Sequence, residues 1–163
     1  MKKIVQQENT VLRKIAESIN VSSITKPEIQ ELLKDMFDVL DTQKDGIALA
    51  APQVASSKRI FIISPQILDT EVSIPLVYIN PQIIKRSRDK KNMEEGCLSC
   101  RWWYGKTKRS TRVTVKAFNE HGDEFIIEGK GLVAQIFQHE IDHLEGVLLI
   151  DHAKNLKEVE PEK

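Results

Sequence analysis

The residues that could do chemistry are concentrated in one short segment, His139-Glu140-Ile141-Asp142-His143, which has the form H-E-x-x-H. If this segment is helical, His139 and His143 share one face, because residues four apart on a helix are neighbours with Cβ atoms about 5–6 Å apart. The two imidazoles could then bind one metal ion, and the carboxylate of Glu140 could reach a water molecule on that ion. The segment therefore predicts a metal-dependent hydrolase.

The surrounding sequence, GLVAQIFQHEIDHLEG, supports the helix that this arrangement requires. Leu132, Ile136, His139 and His143 recur at helical spacing, and Gly146 is typical of a helix stop. The alternative is a solvated helix whose histidines only cap or pack. Two histidines and a glutamate in this register are uncommon by chance, so we favour the metal site.

A catalytic metal usually has three protein ligands, so one more is needed besides the two histidines. A downstream acidic ligand, as in a zinc endopeptidase, would have to be Glu158, Glu160 or Glu162, in a charged tail that we expect to fray. The upstream segment EGCLSC offers two thiols, Cys97 and Cys100. A thiolate is a strong ligand for zinc or ferrous iron, but residue types alone do not distinguish the two cysteines.

The C-x-x-C spacing of these cysteines leaves three interpretations open. A redox dithiol needs a reactive pair that opens a helix, and the following RWWY is not typical of a helix start. A closed structural site of both cysteines and both histidines would leave Glu140 without a role, and its ligand pairs lie too far apart for a zinc finger. In the third interpretation, which we favour, Cys97 is the ligand and Cys100 is a small buried hydrophobic residue.

The composition is that of an ordinary globular protein. The 163 residues are 40% hydrophobic and 29% charged, which suits one compact domain. Lys+Arg and Asp+Glu each total 24, so the net charge gives no general attraction to nucleic acid or membranes. No apolar run approaches the roughly 20 residues of a membrane span. We expect a single cytoplasmic domain over residues 1–163, with no signal or transit peptide and a charged tail at 151–163.

The elements that must position the reactive residues are indicated by hydrophobic periodicity. Residues 27–42 carry one apolar face and predict an amphipathic helix near the N-terminus. Strands are predicted over 59–64, 76–80, 112–118 and 124–128, the last two joined by a hairpin loop. Strands in hairpin-like succession before a late buried helix predict an α+β fold, with mostly antiparallel sheets around the helix that carries HExxH.

A third segment, GIALAAPQ at residues 46–53, is a weak signal by itself. Its small residues would let another backbone approach closely. The amide of Gln53 could donate to an oxygen that gains negative charge during a reaction. A core turn is at least as good an interpretation of this segment alone.

Taken together, GIALAAPQ, EGCLS and QHEIDH resemble the three motifs of the peptide deformylases, which remove the formyl group from the N-terminal formylmethionine of new proteins. The similarity continues through VLRKIAESI, VTVKAF, HGDEF and GVLLID and so spans most of the chain. The resemblance implies a bacterial-type metallohydrolase that acts in the cytoplasm on N-formylmethionyl peptides of nascent chains and releases formate.

The resemblance also implies the metal site. Its ligands would be Cys97, His139 and His143, which resolves the choice between the two cysteines, and Glu140 would be the general base and acid. The cofactor would be one divalent ion per chain, natively ferrous iron, with zinc, nickel or cobalt as alternatives.

The substrate site follows from the same resemblance. Gln53 and the backbone N–H of Leu98 would bind the formyl oxygen. In the family, the peptide adds as a strand beside the first motif. The residues implied to hold the peptide or line its methionine pocket are Gly46, Ile47, Ala48, Leu132, Ile136 and His139.

The chain departs from the family pattern in two places. The family usually has glycine at the position of Ala48, where a Cβ could crowd the peptide or require a negative φ. After EGCLS the family usually continues with an aliphatic residue and proline, whereas this chain has Cys100-Arg101-Trp102-Trp103. The two tryptophans could form an exposed contact surface or contribute to the core.

Two basic runs, over residues 85–91 and 106–112, suggest one further partner. Solvated loop charge is the simpler interpretation, and transient contact with ribosomal RNA is the alternative. We expect neither a membrane contact nor specific recognition of a nucleic acid.

Overall fold

The computed structural model describes residues 2–68, 73–159 and 161, which form an α+β fold. Within these residues there are two α-helices and eight β-strands. The helices are α1 (Pro27–Asp41) and α2 (Leu132–Leu144). The strands are β1 (Ala48–Ala50), β2 (Ile60–Ile63), β3 (Val77–Arg86), β4 (Lys90–Gly96), β5 (Trp103–Ser110), β6 (Arg112–Phe118), β7 (Glu124–Lys130) and β8 (Lys154–Glu158).

The strands make two antiparallel sheets. The larger has the order β1-β2-β3-β6-β7, and the smaller has the order β4-β5-β8. Because side chains alternate across a strand, the larger sheet has two buried faces. On one face, Leu49, Ile60 and Ile62 pack with the apolar side of α1. The residues of α1 that are buried there are Ile29, Leu32, Leu33, Met36, Val39 and Leu40.

The opposite face of the larger sheet packs against α2. Phe61 and Tyr78 stack with ring centroids 4.5 Å apart, and Phe137 of α2 lies 5.3 Å from the Tyr78 ring. The helix also contacts β5 of the smaller sheet. It is therefore covered on nearly all sides. Its buried residues are Ala134, Ile136, Phe137, Gln138, Glu140, Ile141, His143 and Leu144.

Hydrogen bonds also join α2 to the end of β5. The side chain of Gln138 accepts from the backbone N–H of Ser110 at 3.0 Å and donates to the carbonyl of Ser110 at 2.9 Å. Beyond the helix end, Gly146 has φ +75°, and a Cβ there would lie 2.6 Å from the carbonyl oxygen of Arg13. The glycine therefore permits both the left-handed turn and the close approach of the N-terminal segment. No helix among the described residues has the length and apolarity that a membrane crossing needs.

The four strands expected from periodicity are all present, as β2, β3, β6 and β7, and β6 and β7 form the expected hairpin. The expectation missed β1, β4, β5 and β8. Strands β4 and β5 are rich in charged residues because many of their side chains face solvent, so they lack a regular apolar alternation. Strand β1 has three residues, too few to show any period.

The expectation that the tail frays is wrong for Lys154–Glu158. This segment forms β8, which pairs with β5 through the registers Trp103↔Glu158 and Tyr104↔Lys157. The N–H of Val159 adds a hydrogen bond to the carbonyl of Trp102 at 2.9 Å. Backbone pairing does not depend on apolar side chains, so a charged segment can complete a sheet edge.

The burial of α2 predicts the result of a matched pair of substitutions. Leu144 has no exposed surface, whereas Leu132, at the other end of the helix, is 51% exposed. We expect Leu144→Ala to lower the free energy of unfolding by about 2–5 kcal/mol, because it leaves a cavity. Leu132→Ala should lower it by about 1 kcal/mol or less. Urea denaturation measures both, and equal losses would contradict this account of the packing.

Candidate active site

Helix α2 brings the two histidines of the H-E-x-x-H segment together. The rings of His139 and His143 lie with centroids 4.9 Å apart at an angle of 74°. Cys97 directly follows β4, and its Sγ lies 3.3 Å from Nε2 of His143. One potential ligand atom from each of the three residues lies within 4.8 Å of the other two.

This donor set suits a single divalent metal ion. A thiolate and two imidazoles are ligands for zinc or ferrous iron, and three protein ligands leave a position for water. Burial, followed by the neighbouring His139, lowers the pKa of His143 well below its usual value. The ring of His143 is therefore neutral, which is the form that binds a metal.

A buried carboxylate orients the other histidine. Oε1 of Glu95 lies 2.5 Å from Nδ1 of His139, so that nitrogen carries the hydrogen-bonded proton and Nε2 is left for the metal. Glu95 also accepts from Arg109 at 2.6 and 3.1 Å. Burial alone would raise the pKa of Glu95, but the hydrogen bonds from His139 and Arg109 outweigh it and hold that pKa far below its usual range.

Arg109 connects this carboxylate back to the helix. Its second amino group donates to Asp142 of α2 at 2.7 Å, and its side chain is only 6% exposed. The sequence expectation placed Arg109 in a basic run of solvated loop charge, and that placement is wrong. The alternation of β5, in which Thr107 and Arg109 are buried between exposed lysines, is the signal that could have shown it.

Glu140 lies beside the ligand group and is almost completely buried. Its Oε1 is 4.0 Å from Nε2 of His139, and its Oε2 has no hydrogen-bond partner among the described residues. Burial raises the pKa of Glu140 to about 7. A carboxyl group with such a pKa can both accept and return a proton near neutral pH.

Gln53 directs its amide nitrogen toward the same point. Its Oε1 accepts from the backbone N–H of Ala50 at 2.9 Å, which leaves the amide N–H groups facing the other way. Nε2 donates to Oγ of Ser99 at 3.2 Å and lies 3.8 Å from Sγ of Cys97. In the segment after Cys97, the carbonyl of Leu98 accepts a hydrogen bond from Nε2 of Gln6 at 3.0 Å.

A cleft of about 270 Å³ opens beside these residues. Gly46, one of the expected substrate residues, does not line it, and a Cβ at this position would collide with Leu40 and Gln43 instead. Arg101, from the segment that departs from the family pattern, also lines the cleft, as does Tyr104, which no expectation named. The expected residues found in its wall are Ile47, Ala48, Gln53, Leu98, Leu132, Ile136 and His139.

The departure at Ala48 is accommodated by the strand. Ala48 lies in β1, and it is not among the described non-glycine residues with positive φ. It is 6% exposed, and it belongs to the apolar cluster beneath α2 together with Ala50 and Ile63. The extended backbone at this position therefore does not require glycine.

The departure at residues 100–103 places Arg101 in the wall of the cleft. Cys100 is fully buried and lies outside the ligand group, as expected for a small hydrophobic residue, so a closed Cys2His2 site has no support in this geometry. Arg101 donates to Asp45 at 2.6 Å and to Gln43 at 2.9 Å, and it stacks over Trp102 at 4.8 Å. Both tryptophans are half-buried, so they form neither a fully exposed contact surface nor part of the buried core.

The acidic tail offers no ligand among the described residues. Glu158 lies in β8 opposite Trp103 and does not join the group of three ligands. Glu160 and Glu162 lie outside the described residues.

Two imidazoles on one helix, a cysteine sulfur next to the end of a neighbouring strand and a buried glutamate in a cleft define a metal-dependent hydrolase. Comparisons with known proteins identify the family. The sequence matches the family described as polypeptide deformylase over residues 1–159. The peptide deformylase of Carboxydothermus hydrogenoformans is 40% identical over 155 residues, which cover 94% of each chain.

Solved structures agree with the sequence comparison. The crystal structure of peptide deformylase from Thermotoga maritima superposes with a TM-score of 0.83 at 34% identity, covering 94% of this chain and 98% of that one. A Met-Ala-Ser-bound class I type b peptide deformylase from Acinetobacter baumannii gives a TM-score of 0.82 at 29% identity, covering 91% and 96%. The chain belongs to the polypeptide deformylase family. Its activity is removal of the N-formyl group from nascent polypeptides.

The contact between Glu95 and His139 predicts a loss of metal affinity. We expect Glu95→Gln to weaken metal binding by about 10–100-fold, because the orienting carboxylate is lost. Titration with zinc in a metal buffer measures this, and Glu94→Gln, at the exposed neighbouring residue, is the matched control. Equal affinity in the two variants would show that Glu95 does not orient the ligand.

Proposed function

We propose that deformylation takes place in the cleft beside α2, with Cys97, His139 and His143 as the metal ligands and Glu140 as the general base and acid. The observation that carries this proposal is the convergence of three ligand atoms within 4.8 Å beside a buried carboxylate. When bound, a divalent metal supplies an activated water and polarises the formyl oxygen. The products are formate and a peptide with a free N-terminal methionine.

Glu140 moves the proton in this proposal. Its carboxylate takes a proton from the attacking water, and Oε2, which has no competing partner among the described residues, can hold it. Glu140 then gives the proton to the departing amine. A pKa of about 7 supports both transfers, because an acid–base group works best when its pKa is near the operating pH.

The formyl oxygen gains negative charge as water adds to the carbon. Two donors are available for it, Nε2 of Gln53 and the backbone N–H of Leu98. The hydrogen bond from Ala50 to Oε1 of Gln53 fixes the orientation of the amide before substrate arrives. Preorganised donors of this kind are typically worth about 100–1000-fold in rate each.

The peptide adds to the free edge of β1, which has β2 as its one partner among the described strands. The N–H of Ser64 donates to the carbonyl of Ile47 at 2.8 Å, so alternation turns the N–H and carbonyl of Ala48 toward the open edge. The N–H of Ala50 is already bonded to Gln53. The Met-Ala-Ser ligand of the Acinetobacter neighbour supports peptide binding in this fold. Gly46 precedes the edge, and Ile47, Leu132, Ile136 and His139 line the methionine pocket.

The finer properties of the enzyme follow from this assignment. We propose ferrous iron as the native metal, with zinc, nickel or cobalt as substitutes, since thiolate and imidazole ligands suit all of these. Anaerobic purification followed by metal analysis tests it. Residues 1–163 would form one catalytic domain, because the site draws on β1, on the segment after β4 and on α2. Nascent chains are made in the cytoplasm, so we place the activity there.

A single isosteric change tests the role of Glu140. We expect Glu140→Gln to retain its metal and lower kcat for formate release from a formyl-Met peptide by at least about 100-fold, because it removes the proton carrier. Glu128→Gln, on exposed β7, is the control and should keep full activity. A Glu140→Gln variant with wild-type kcat would overturn the assignment. Cleavage of unformylated peptides by the wild type would indicate an endopeptidase instead.

The position of Ala48 makes a second prediction. Its Cβ packs beneath α2 rather than along the edge that receives the peptide. We therefore expect Ala48→Gly to change kcat/KM by less than about threefold, or under about 0.7 kcal/mol. The same change should lower the free energy of unfolding by about 0.5–1 kcal/mol, because glycine is unfavourable within a strand. A tenfold gain in kcat/KM would show that the methyl group crowds the substrate.

The basic runs support a weaker proposal, transient contact with ribosomal RNA. Arg109 is buried and does not contribute to this surface. The exposed lysines that remain include Lys106 and Lys108 of β5, which lie opposite Glu94 and Asn92 of β4. Binding through such charges falls steeply with salt. Co-sedimentation with ribosomes should decline between about 50 and 200 mM salt, and absence of any salt-sensitive association would remove the proposal.

A further inference from the structure

The C-x-x-C pair is held in a tight turn. The backbone N–H of Cys100 donates to the carbonyl of Cys97 at 3.0 Å, and Leu98 and Ser99 occupy the central positions. The first and fourth residues of such a turn have Cα atoms less than about 7 Å apart. Disulfide-bonded cysteines have Cα separations of about 4.4–6.8 Å. The backbone therefore holds the two cysteines at a distance that a disulfide can span without unfolding the turn.

The side chains of both cysteines lie in the same small cluster. Cys97 packs against the apolar group formed by Cys100, Leu12 and Leu148. Cys100 lies outside the ligand group, and no catalytic step described above uses it.

The two thiols differ in their access to solvent. Cys97 is half-buried and lines the substrate cleft, whereas Cys100 has no exposed surface. A small oxidant that enters the cleft therefore reaches Cys97 first. Any oxidised form of Cys97 is produced next to a protected thiol.

We propose that Cys97 and Cys100 form a reversible oxidation site for hydroperoxides. The Cys97 thiol is oxidised by hydrogen peroxide to a sulfenic acid, and one water is released. The Cys100 sulfur then attacks the Cys97 sulfur. The S–S bond forms as the S–O bond breaks, and hydroxide leaves with the Cys100 proton as a second water. Overall, two thiols and one peroxide give one disulfide and two waters.

The consequence for the active site rests on the proposed ligand role of Cys97. A sulfur in a disulfide is no longer a thiolate, so the ligand set falls from three residues to two and the metal is released. Reduction by a dithiol restores the ligand. Without Cys100, a sulfenic acid would continue to the sulfinic state, which is not reversed by thiols.

The experiment uses zinc-loaded wild-type protein and Cys100→Val, which carries an aliphatic residue as the family pattern does. Each is treated with a small excess of hydrogen peroxide and digested without reduction. Trypsin places both cysteines in one peptide, residues 92–101. Mass spectrometry of this peptide identifies the product, a chromogenic chelator measures released zinc, and dithiothreitol followed by zinc tests recovery of deformylation.

In the wild type we expect the 92–101 peptide to lose about 2 Da, the mass of two hydrogen atoms, with release of zinc and recovery of activity on reduction. In Cys100→Val we expect Cys97 to gain oxygen and activity to stay lost. Wild-type protein that gains oxygen at Cys97 and forms no disulfide would overturn the proposal, as would equal recovery of the two proteins. A disulfide that forms without zinc release would instead show that Cys97 is not a ligand.

Discussion

The ion-pair network centred on Glu95 is the interaction on which the site depends. Glu95 is the next-to-last residue of β4, Arg109 lies on β5, and His139 and Asp142 lie on α2. The network therefore connects β4, which directly precedes Cys97, to α2, which carries both histidines. Since an unpaired buried charge is costly, each charge in the network keeps the others in place.

The rest of the structure makes this network possible. Apolar contacts from the larger sheet and polar contacts from the smaller sheet cover α2 and bury most of its residues, including Glu140 and His143. The same burial raises the pKa of Glu140 to about 7 and lowers that of His143. The fold thus shifts the pKa of Glu140 and of His143 through one physical effect, desolvation.

The segment after Cys97 combines family features with features of this chain. Leu98 and Ser99 are buried, and Ser99 accepts a hydrogen bond from Gln53. Cys100 and Arg101 then replace the aliphatic residue and proline of the family pattern. Cys100 adds a second thiol next to the first, and Arg101 ties this segment to Asp45 at the entrance to β1. Arg101, which lines the cleft, therefore departs from the family pattern.

Local spacing determined what the sequence could show by itself. The four-residue separation of His139 and His143, the apolar face of residues 27–42 and the β6–β7 hairpin all depend on neighbours within a few positions of the chain. The tertiary structure decided the rest. It buried Arg109 among charged neighbours, and it paired the strands that no apolar alternation marks. These outcomes depend on contacts between residues tens of positions apart, such as Glu95 with His139, and only the packed chain brings such residues together.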